Sequence, residues 1–331
     1  MTTISTTTHP PSDLLRIADL NQRELANLLD LSEQMKHAPK GWLTAHPGEV
    51  LACYFAKPST RTRVSFEAAA CRLGMLPIML RPDELQLGRG EPISDTAKVL
   101  ASYAAAIVIR TFAQTELETI AQASSVPVIN ALTDQHHPCQ ALADLLTLQE
   151  HFGRLEGLTL AYVGDGNNVA HSLLEAGALA GMEIAIATPR GYEPNMAITA
   201  AARDRAQRNG ASIRILSDPH EAVRGADAVY TDVWVSMGEE AEQASRLDDL
   251  KTYQVNQSLM AQASPAAVFM HCLPAHRGEE VTAEVIDGPQ SVVFTQAANR
   301  LPTAQAVLHA LISGAAQGGR TKRADHEDAA A

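Results

Sequence analysis

Cysteine and aromatic residues are both scarce in this sequence, and each shortage excludes a class of protein. The four cysteines, Cys53, Cys71, Cys139 and Cys272, lie far apart and form no CxxC pair. They indicate neither a zinc motif nor a small disulfide-rich secreted scaffold, and reduced thiols are expected. Aromatic residues make up only 4% of the chain, which argues against a surface that stacks nucleic-acid bases.

Long apolar runs and an N-terminal addressing segment are also missing. Apolar stretches such as 104–109 are far shorter than the roughly 20 residues that span a bilayer. The N-terminus has no arginine before Arg16 and no apolar region, so neither secretion nor organelle import is indicated. The net charge of -12 at pH 7 repels nucleic acid and acidic membranes. We therefore predict a cytoplasmic protein that binds small molecules and associates with no membrane, nucleic acid or metal.

The pattern of apolar residues predicts an α/β fold. With 331 residues the chain is long for one core, and short β-branched runs alternate with longer amphipathic or alanine-rich segments, as in βαβ units around a parallel sheet. The first set of predicted strands covers 50–55, 75–80, 106–109 and 126–129. The second set covers 158–163, 183–187, 228–231, 268–271 and 291–294. Helices are predicted at 63–73, 139–151 and 303–312.

These elements predict two Rossmann-like domains, each a mostly parallel sheet flanked by helices, joined by interdomain helices. The first domain is predicted to span 1–150 and the second 151–302. A closing helix at about 303–315 is expected to pack back on the first domain, and 316–331 to form a flexible tail.

Polar clusters follow directly after several predicted strands, at 57–61, 110–111, 165–168, 232 and 272–274. In open parallel sheets, ligands bind at the carboxyl ends of the strands, where loops and helix N-termini converge. The sequence therefore predicts one shared pocket.

The cluster around Arg61 is a candidate anion site. It opens a predicted helix, and a helix N-terminus offers unpaired N–H groups and a partial positive charge. Arg110 and His137 follow other strands and add further donors. On these residues alone, an ordinary Ser/Thr-capped helix with solvated arginines stays equally open, and a lone His137 would more often be structural.

The segment 164–173 gives only a weak hint of dinucleotide binding. It lacks the G-x-G-x-x-G spacing, Val169 stands at the third glycine position, and the next strand ends in Thr188-Pro189 without an acidic residue. A nicotinamide cofactor is therefore disfavoured. In isolation, Asp232 could equally cap a helix and Cys272 could equally be a small buried residue.

Taken together, these motifs resemble one enzyme family. Lys57-Pro-Ser-Thr-Arg-Thr-Arg63 with His137-Pro-Cys-Gln140 resembles the carbamoyl-phosphate signature of the aspartate and ornithine carbamoyltransferase family, and the resemblance runs from about Asp13 to Ala310. Segments 86–91, 232–240 and 271–278 resemble the ornithine-type members. The aspartate-type members carry a lysine in the loop at 86–91, and no lysine lies between Lys57 and Lys98 here.

The resemblance implies transfer of the carbamoyl group of carbamoyl phosphate to L-ornithine, giving L-citrulline in arginine biosynthesis, by a cofactor-free homotrimer with shared active sites. It implies a carbamoyl-phosphate site of Ser59, Thr60, Arg61, Thr62, Gln86, Arg110, His137, Gln140, Cys272, Leu273 and Arg300. It implies an ornithine site of Asn168, Asp232, Ser236 and Met237. The catalytic roles fall to Arg61, Arg110, His137 and Cys272, and Gln86 would serve a neighbouring subunit.

The motif at 294–302 departs from the family pattern. Thr295, Ala298 and Pro302 replace an acidic residue, a glutamate and a histidine, whereas Arg300 is retained. Pro302 would fit the first turn of the closing helix. The alternatives are a transcarbamylase that acts on putrescine, N-acetylornithine or aspartate, an NAD-dependent dehydrogenase, and a catalytically silent regulatory binding protein.

Overall fold

The first half of the chain forms a parallel sheet flanked by helices. The computed structural model describes residues 12–84, 90–235 and 240–318. The elements of the first half are α1 (Gln22–His37), β1 (Val50–Phe55), α2 (Arg61–Leu73), β2 (Leu76–Leu80), α3 (Ile93–Tyr103), β3 (Ala106–Arg110), α4 (Gln114–Ala123), β4 (Val128–Leu132) and α5 (Pro138–Phe152), with short 3-10 turns at Ile17–Asp19 and Pro82–Glu84. The strands pair in parallel in the order β2-β1-β3-β4.

The second half forms another parallel sheet and ends in a long helix. Its elements are β5 (Thr159–Val163), α6 (Asn168–Ala180), β6 (Glu183–Ala187), α7 (Met196–Arg208), β7 (Ser212–Leu216), α8 (Pro219–Val223), β8 (Ala228–Thr231), α9 (Gln243–Leu250), α10 (Gln257–Met260), β9 (Val268–His271), α11 (Ala283–Ile286) and α12 (Val293–Gly318), with 3-10 turns at Glu240–Glu242 and Lys251–Tyr253. The strand order is β7-β6-β5-β8-β9, again parallel. These sheets confirm the predicted α/β fold class.

Burial explains why these segments become inner strands and bridging helices. Strands β5 and β8 are buried on both faces, so their residues read as continuous apolar runs, and Tyr162 stacks on Tyr230 between them with ring centroids 5.9 Å apart. Helix α5 is buried from Pro138 to Leu148. It packs against both α6 and α12, so it joins the two halves of the molecule.

Gly74 fixes the connection from α2 to β2. It ends α2 in the left-handed conformation, with φ of 81°, and its backbone approaches Leu43 so closely that a Cβ would lie 2.3 Å from the Leu43 carbonyl oxygen. Only glycine meets both conditions at low cost.

The predicted strand at 291–294 is wrong. Residue Ser291 makes a single bridge to Phe269, and α12 begins at Val293. A run of three apolar residues cannot be distinguished by periodicity from the start of a helix. Strand β7 was not predicted, because Arg214 interrupts an edge strand that is only partly buried.

The predicted closing helix at 303–312 is too short, and Pro302 does not lie in a first turn. Helix α12 spans 26 residues with Pro302 in its interior, where proline removes the hydrogen bond to the carbonyl four residues earlier. The helix packs on α1, α2 and α5, in the first half of the chain. It continues to Gly318, so 316–318 are helical, and the rest of the predicted tail lies outside the described residues.

Across 12–84, 90–235 and 240–318, none of the helices combines the length and apolar character needed to cross a bilayer.

Candidate active site

The predicted site residues lie at the carboxyl ends of strands from both sheets. Arg61 opens α2 after β1, Arg110 ends β3, and His137 precedes α5 after β4. In the second half, Asp232 follows β8 and Cys272 follows β9. The loops converge because parallel strands point their carboxyl ends to the same edge of a sheet.

Arg300, from the middle of α12, connects the starts of α2 and α5. Its NH1 donates a hydrogen bond to Gln140 Oε1 at 2.5 Å and contacts His137 Nε2 at 3.5 Å, and its NH2 donates to Thr62 Oγ1 at 3.2 Å. All four residues are buried. Thr295 and Ala298 are exposed on α12, so these two departures from the family pattern lie away from the face that carries Arg300.

Arg61, Arg110 and Arg300, here called the arginine cluster, are close enough to affect one another's charge. Burial, together with the charges of Arg300 and Arg61, lowers the pKa of Arg110 to about 10. Three cations gathered in one cleft at the starts of α2 and α5 form a strongly positive pocket, which an anion would neutralise.

His137 is neutral in this pocket. Burial lowers its pKa well below the usual value, and the positive charges of Arg300, Arg110 and Arg61 lower it further. A neutral imidazole keeps one N–H donor. Among the described residues, the buried atoms His137 Nδ1 and Arg110 Nε have no hydrogen-bond partner, and a ligand in the cleft would be expected to satisfy them.

The hydroxyls at the start of α2 differ in their surroundings. Thr62 is buried and accepts the hydrogen bond from Arg300. Ser59 is half-buried and Thr60 is exposed. Thr60 occupies the N-cap position but makes no capping hydrogen bond, so the reading of this segment as a Ser/Thr-capped helix is wrong for that residue.

Asp144 orients Gln140 from the buried side. Its Oδ1 accepts hydrogen bonds from Gln140 Nε2 at 2.8 Å and from Gln296 Nε2 at 2.7 Å. Burial raises the pKa of Asp144 more than both hydrogen bonds lower it, and the net pKa is about 7. Because the Gln140 amide nitrogen donates its hydrogen bond to Asp144, the Gln140 side-chain carbonyl oxygen faces Arg300 and accepts from it.

Asp232 and Cys272, here called the acceptor pair, face the arginine cluster from the second sheet. Cys272 Sγ donates to Asp232 Oδ1 at 2.9 Å, and Asn167 Nδ2 donates to Asp232 Oδ2 at 2.8 Å. Burial and then the charge of Asp232 raise the pKa of Cys272 well above its usual value, so the group stays a thiol at neutral pH. The pair combines one carboxylate with a neutral donor.

The two sides meet directly. The Arg61 guanidinium donates a hydrogen bond to the backbone carbonyl of Leu273, next to Cys272. Burial lowers the pKa of Arg61, whereas Cys272 and Asp232 act in the opposite direction. Asn168 also crosses between the halves, because its Nδ2 donates to the Thr133 carbonyl at 2.6 Å.

Gln86, Ser236 and Met237 lie outside the described residues. Their predicted roles therefore stay predictions.

Some residues that shape the site were missed from the sequence. Lys57 donates to Asp134 Oδ1 at 2.6 Å and lies 4.1 Å from the centre of the Phe112 ring, so it ties together the loops after β1, β3 and β4. Lys57 belongs to the signature quoted above, and that membership was the available signal. Asn167 caps α6 and also binds Asp232.

Gly166 lets the loop after β5 pass close to the chain at Tyr192–Pro194. A Cβ on Gly166 would lie 2.3 Å from the backbone nitrogen of Pro194. Close packing against backbone, and not phosphate binding, therefore explains this glycine.

One group of side chains here has metal-ligand geometry. Asp232, His271 and Cys272 each offer one ligand atom, and these atoms lie within 4.8 Å of one another. A thiol must lose its proton to bind a metal, and the raised pKa of Cys272 opposes that loss. The same atoms already form hydrogen bonds to each other and to neighbouring groups.

Comparison with known proteins identifies the two halves. The model of the aspartate/ornithine carbamoyltransferase carbamoyl-P binding domain matches residues 12–150, and that of the Asp/Orn binding domain matches residues 156–311. Ornithine carbamoyltransferase of Gloeobacter violaceus is 54% identical over 302 residues, covering 91% of this chain and 96% of that protein. The Listeria monocytogenes protein of the same name is 51% identical over 301 residues, covering 91% and 95%.

Solved structures agree with these matches. The ornithine carbamoyltransferase of Pyrococcus furiosus superposes with a TM-score of 0.89 at 47% identity, covering 92% of this chain and 98% of that one. That of Gloeobacter violaceus superposes with a TM-score of 0.84 at 50% identity, covering 92% and 100%. The chain belongs to the aspartate/ornithine carbamoyltransferase family and is a carbamoyltransferase.

Proposed function

We propose that this enzyme transfers the carbamoyl group of carbamoyl phosphate to the side-chain amine of L-ornithine, releasing L-citrulline and phosphate. The observation that carries the proposal is the contact between Arg61 and the Leu273 carbonyl. It brings a positive pocket suited to a phosphate next to a carboxylate and thiol suited to an amine. The names of the relatives support the same choice of acceptor.

In this proposal the first half of the chain binds carbamoyl phosphate. Arg61 and Arg110 bind the phosphate in charge-assisted pairs, each worth about 1.5–3 kcal/mol. Ser59 and Thr60 add hydroxyl donors, and the other residues that the resemblance assigns to this substrate face its carbamoyl end. They are Thr62, His137, Gln140, Cys272, Leu273 and Arg300, with Gln86 supplied by a neighbouring subunit.

The second half binds ornithine. Asp232 accepts a hydrogen bond from the reacting amine, and Asn168 and Ser236 bind the α-amino and α-carboxyl groups. Met237 belongs to a segment that closes over the substrate. An aspartate acceptor would place a second carboxylate near Asp232, and the repulsion between like charges disfavours it.

The reaction begins with the neutral amine. Its lone pair attacks the carbamoyl carbon while the carbonyl electrons move to oxygen, which gives a tetrahedral oxyanion. The C=O bond then re-forms, phosphate leaves with the electrons of the C–O bond, and the proton lost by the amine passes to the departing phosphate. Thr62, Arg110 and His137 stabilise the oxyanion, and removal of one such donor typically costs about 10²–10³-fold in rate. Arg61 neutralises the departing phosphate. No step needs a cofactor or a metal.

We further propose a homotrimer with shared active sites, located in the cytoplasm and serving arginine biosynthesis. Leu76 and Ile78 lie on the edge strand β2 and are 59% and 48% exposed. Exposed apolar side chains on an edge strand favour contact with another copy. The proposed domains are 1–150 with the later part of α12, and 151–302. Light scattering after gel filtration tests the trimer, with an expected mass of three chains of 35.4 kDa.

A carbamoylation assay tests the activity. The protein is mixed with carbamoyl phosphate and, separately, with L-ornithine, L-aspartate, putrescine and N-acetylornithine, and the carbamoylated product and released phosphate are both measured. Turnover with ornithine well above the other three is expected. Preference for another acceptor would overturn the proposal, and heat-inactivated protein corrects for spontaneous carbamoylation.

A further inference from the structure

Two buried ionisable side chains adjoin Cys272 and Leu273 but take no part in the proposed reaction. His271, the last residue of β9, is 1% exposed, and Glu280 is fully buried. His271 Nε2 and Glu280 Oε1 lie 3.1 Å apart. Buried charged groups destabilise a protein unless hydrogen bonds compensate them. The hydrogen-bond partners of His271 and Glu280 therefore show which part of the backbone this pair positions.

The contacts of His271 determine which ring nitrogen carries its proton. The backbone N–H of Leu273 donates to His271 Nδ1 at 2.8 Å, so Nδ1 acts as an acceptor. The proton must then lie on Nε2, which donates to the Glu280 carboxylate. A carboxylate partner on one ring nitrogen commonly fixes the tautomer and orientation of the other.

Glu280 also joins the two ends of the turn that contains Cys272 and Leu273. Its Oε1 accepts a second hydrogen bond from the His276 backbone N–H, at 2.6 Å. One carboxylate oxygen therefore binds both ends of the segment 271–276. The other oxygen, Oε2, is buried without a hydrogen-bond partner among the described residues, so the hold on the turn depends on Oε1.

Leu273 has an unfavourable backbone conformation that these contacts maintain. Its φ is 57°, in the left-handed region that is sterically unfavourable for a residue with a Cβ. His271 binds its N–H, and Arg61 binds its carbonyl. The peptide is therefore held at two points, one of which belongs to the arginine cluster.

We propose that Glu280 and His271 are positioning residues for carbamoyl transfer. Glu280 fixes the Nε2–H tautomer of His271, His271 holds Leu273 in its left-handed conformation, and the Leu273 carbonyl sets the orientation of Arg61. Neither side chain contacts a reacting atom. The inference rests on the proposed function, because it assigns Arg61 to the phosphate of carbamoyl phosphate.

Kinetics of Glu280→Gln give the first test, with Glu279→Gln as the matched control. Glutamine keeps the shape of Glu280 but can present an N–H to His271 Nε2, which releases the tautomer. We expect kcat to fall about 10- to 100-fold, as misplaced catalytic groups do, with little change in KM for ornithine. The side chain of Glu279 is 38% exposed and adjoins exposed His276, so its variant should match the wild type.

A double-variant cycle separates positioning from a general loss of structure. Arg61→Lys is measured alone and combined with Glu280→Gln. If Glu280 acts through Leu273 on Arg61, the double variant is no slower than the slower single variant. If the two fold-losses multiply, Glu280 acts independently of Arg61 and the inference is overturned. Should Glu280→Gln fail to fold, Glu280→Asp, which retracts the carboxylate by one methylene, takes its place in the cycle.

The two proposals fail in different ways. A wild-type protein that does not carbamoylate ornithine contradicts the proposed function. A wild-type protein that does so, with Glu280→Gln as fast as Glu279→Gln, contradicts only the positioning role.

Discussion

Arg246 and Asp165 form a buried ion pair that ties two loops of the acceptor side together. The NH2 of Arg246 donates to Asp165 Oδ2 at 2.5 Å, in the loop after β5, and its Nε donates to the Trp234 carbonyl at 2.8 Å, in the loop after β8. The side chains of the pair are only 9% and 11% exposed. Arg246 lies on α9, so it also anchors the chain that follows the predicted ornithine residues Ser236 and Met237.

Arg246→Gln is expected to destabilise the protein and weaken ornithine binding. Loss of one partner from a buried ion pair typically costs about 3–5 kcal/mol, because the other charge stays buried. Both acceptor loops lose their common anchor, so KM for ornithine should rise more than KM for carbamoyl phosphate. Thermal unfolding and steady-state kinetics measure the two effects.

Arg208→Gln is the control for this prediction. Arg208 pairs with Asp204 on the surface, with both side chains 63% exposed, and such pairs contribute about 0–1 kcal/mol. Equal destabilisation by the two variants would contradict the role given to the Arg246–Asp165 pair.

Arg61→Ala is expected to abolish most turnover while the fold survives. The variant removes the donor to the Leu273 carbonyl and one cation of the arginine cluster. Loss of a positioned donor costs about 10²–10³-fold in rate, whereas relief of repulsion among the arginines should limit any loss of stability. Citrulline formation and the thermal midpoint are compared with those of Arg224→Ala, at an exposed position. Wild-type kinetics in Arg61→Ala would refute its assignment.

The sequence predicts the sheets best where strands are buried on both faces. Strands β8 and β9 lie at their predicted bounds because a fully buried parallel strand reads as one continuous apolar run. Edge strand β7 escaped detection, since Arg214 breaks its pattern. The strand predicted at 291–294 failed because the same apolar residues also suit the start of α12.

The candidate site is predictable where its residues directly follow strands. Arg61, Arg110, Asp232 and Cys272 lie in clusters that were found in that way. His137 was found by its place at the start of a predicted helix and by the family resemblance, and the structure brings all five residues to one cleft. Arg246 could not be found, because in the sequence it reads as one charged residue of an amphipathic helix.

The buried charge partners are unpredictable for a related reason. The partner of Arg246 lies 81 residues away, and only tertiary packing selects it. Glu280 stands next to Glu279, and nothing in the sequence says which of the two is buried.

Glu175→Gln is expected to change how stability depends on pH. Glu175 is buried on α6, near Arg16, Asp19 and Arg205, and accepts a hydrogen bond from the Ala18 backbone N–H. Burial raises its pKa from 4.5 to about 7. The folded protein therefore binds a proton more tightly than the unfolded chain, and stability falls as pH rises from about 4.5 to 7 and stays lower above that.

Glutamine cannot ionise, so the variant should be more stable than the wild type at pH 8, by up to about 3 kcal/mol, and close to it at pH 5. Denaturant unfolding at both pH values gives the difference, and Glu183→Gln, at an exposed strand residue, should show none. His136 is close to Glu175, but burial lowers its pKa to about 3, so it adds no charge in this range. A difference independent of pH would contradict the prediction.

The rate of carbamoyl transfer is expected to rise toward alkaline pH. The attacking amine has a reference pKa of about 10.4, so only about one ornithine in a thousand carries a neutral side chain near pH 7.4, and deprotonation costs about 4 kcal/mol. Burial and the charge of Asp232 raise the pKa of Cys272 well above its usual value, so the thiol should not titrate between about pH 6.5 and 9. kcat/KM for ornithine should therefore follow the neutral amine across this range.

Cys272→Ser separates the two groups that could cause such a rise. Serine keeps a hydroxyl donor to Asp232 but has no ionisation in this range, so the variant should be slower while its pH profile keeps the same slope. A slope that disappears in Cys272→Ser would show that the thiol, and not the amine, is the titrating group. A flat profile in the wild type would contradict selection of the neutral amine. Either result would require the acceptor pair, Asp232 and Cys272, to act by a route other than hydrogen bonding to the neutral amine of ornithine.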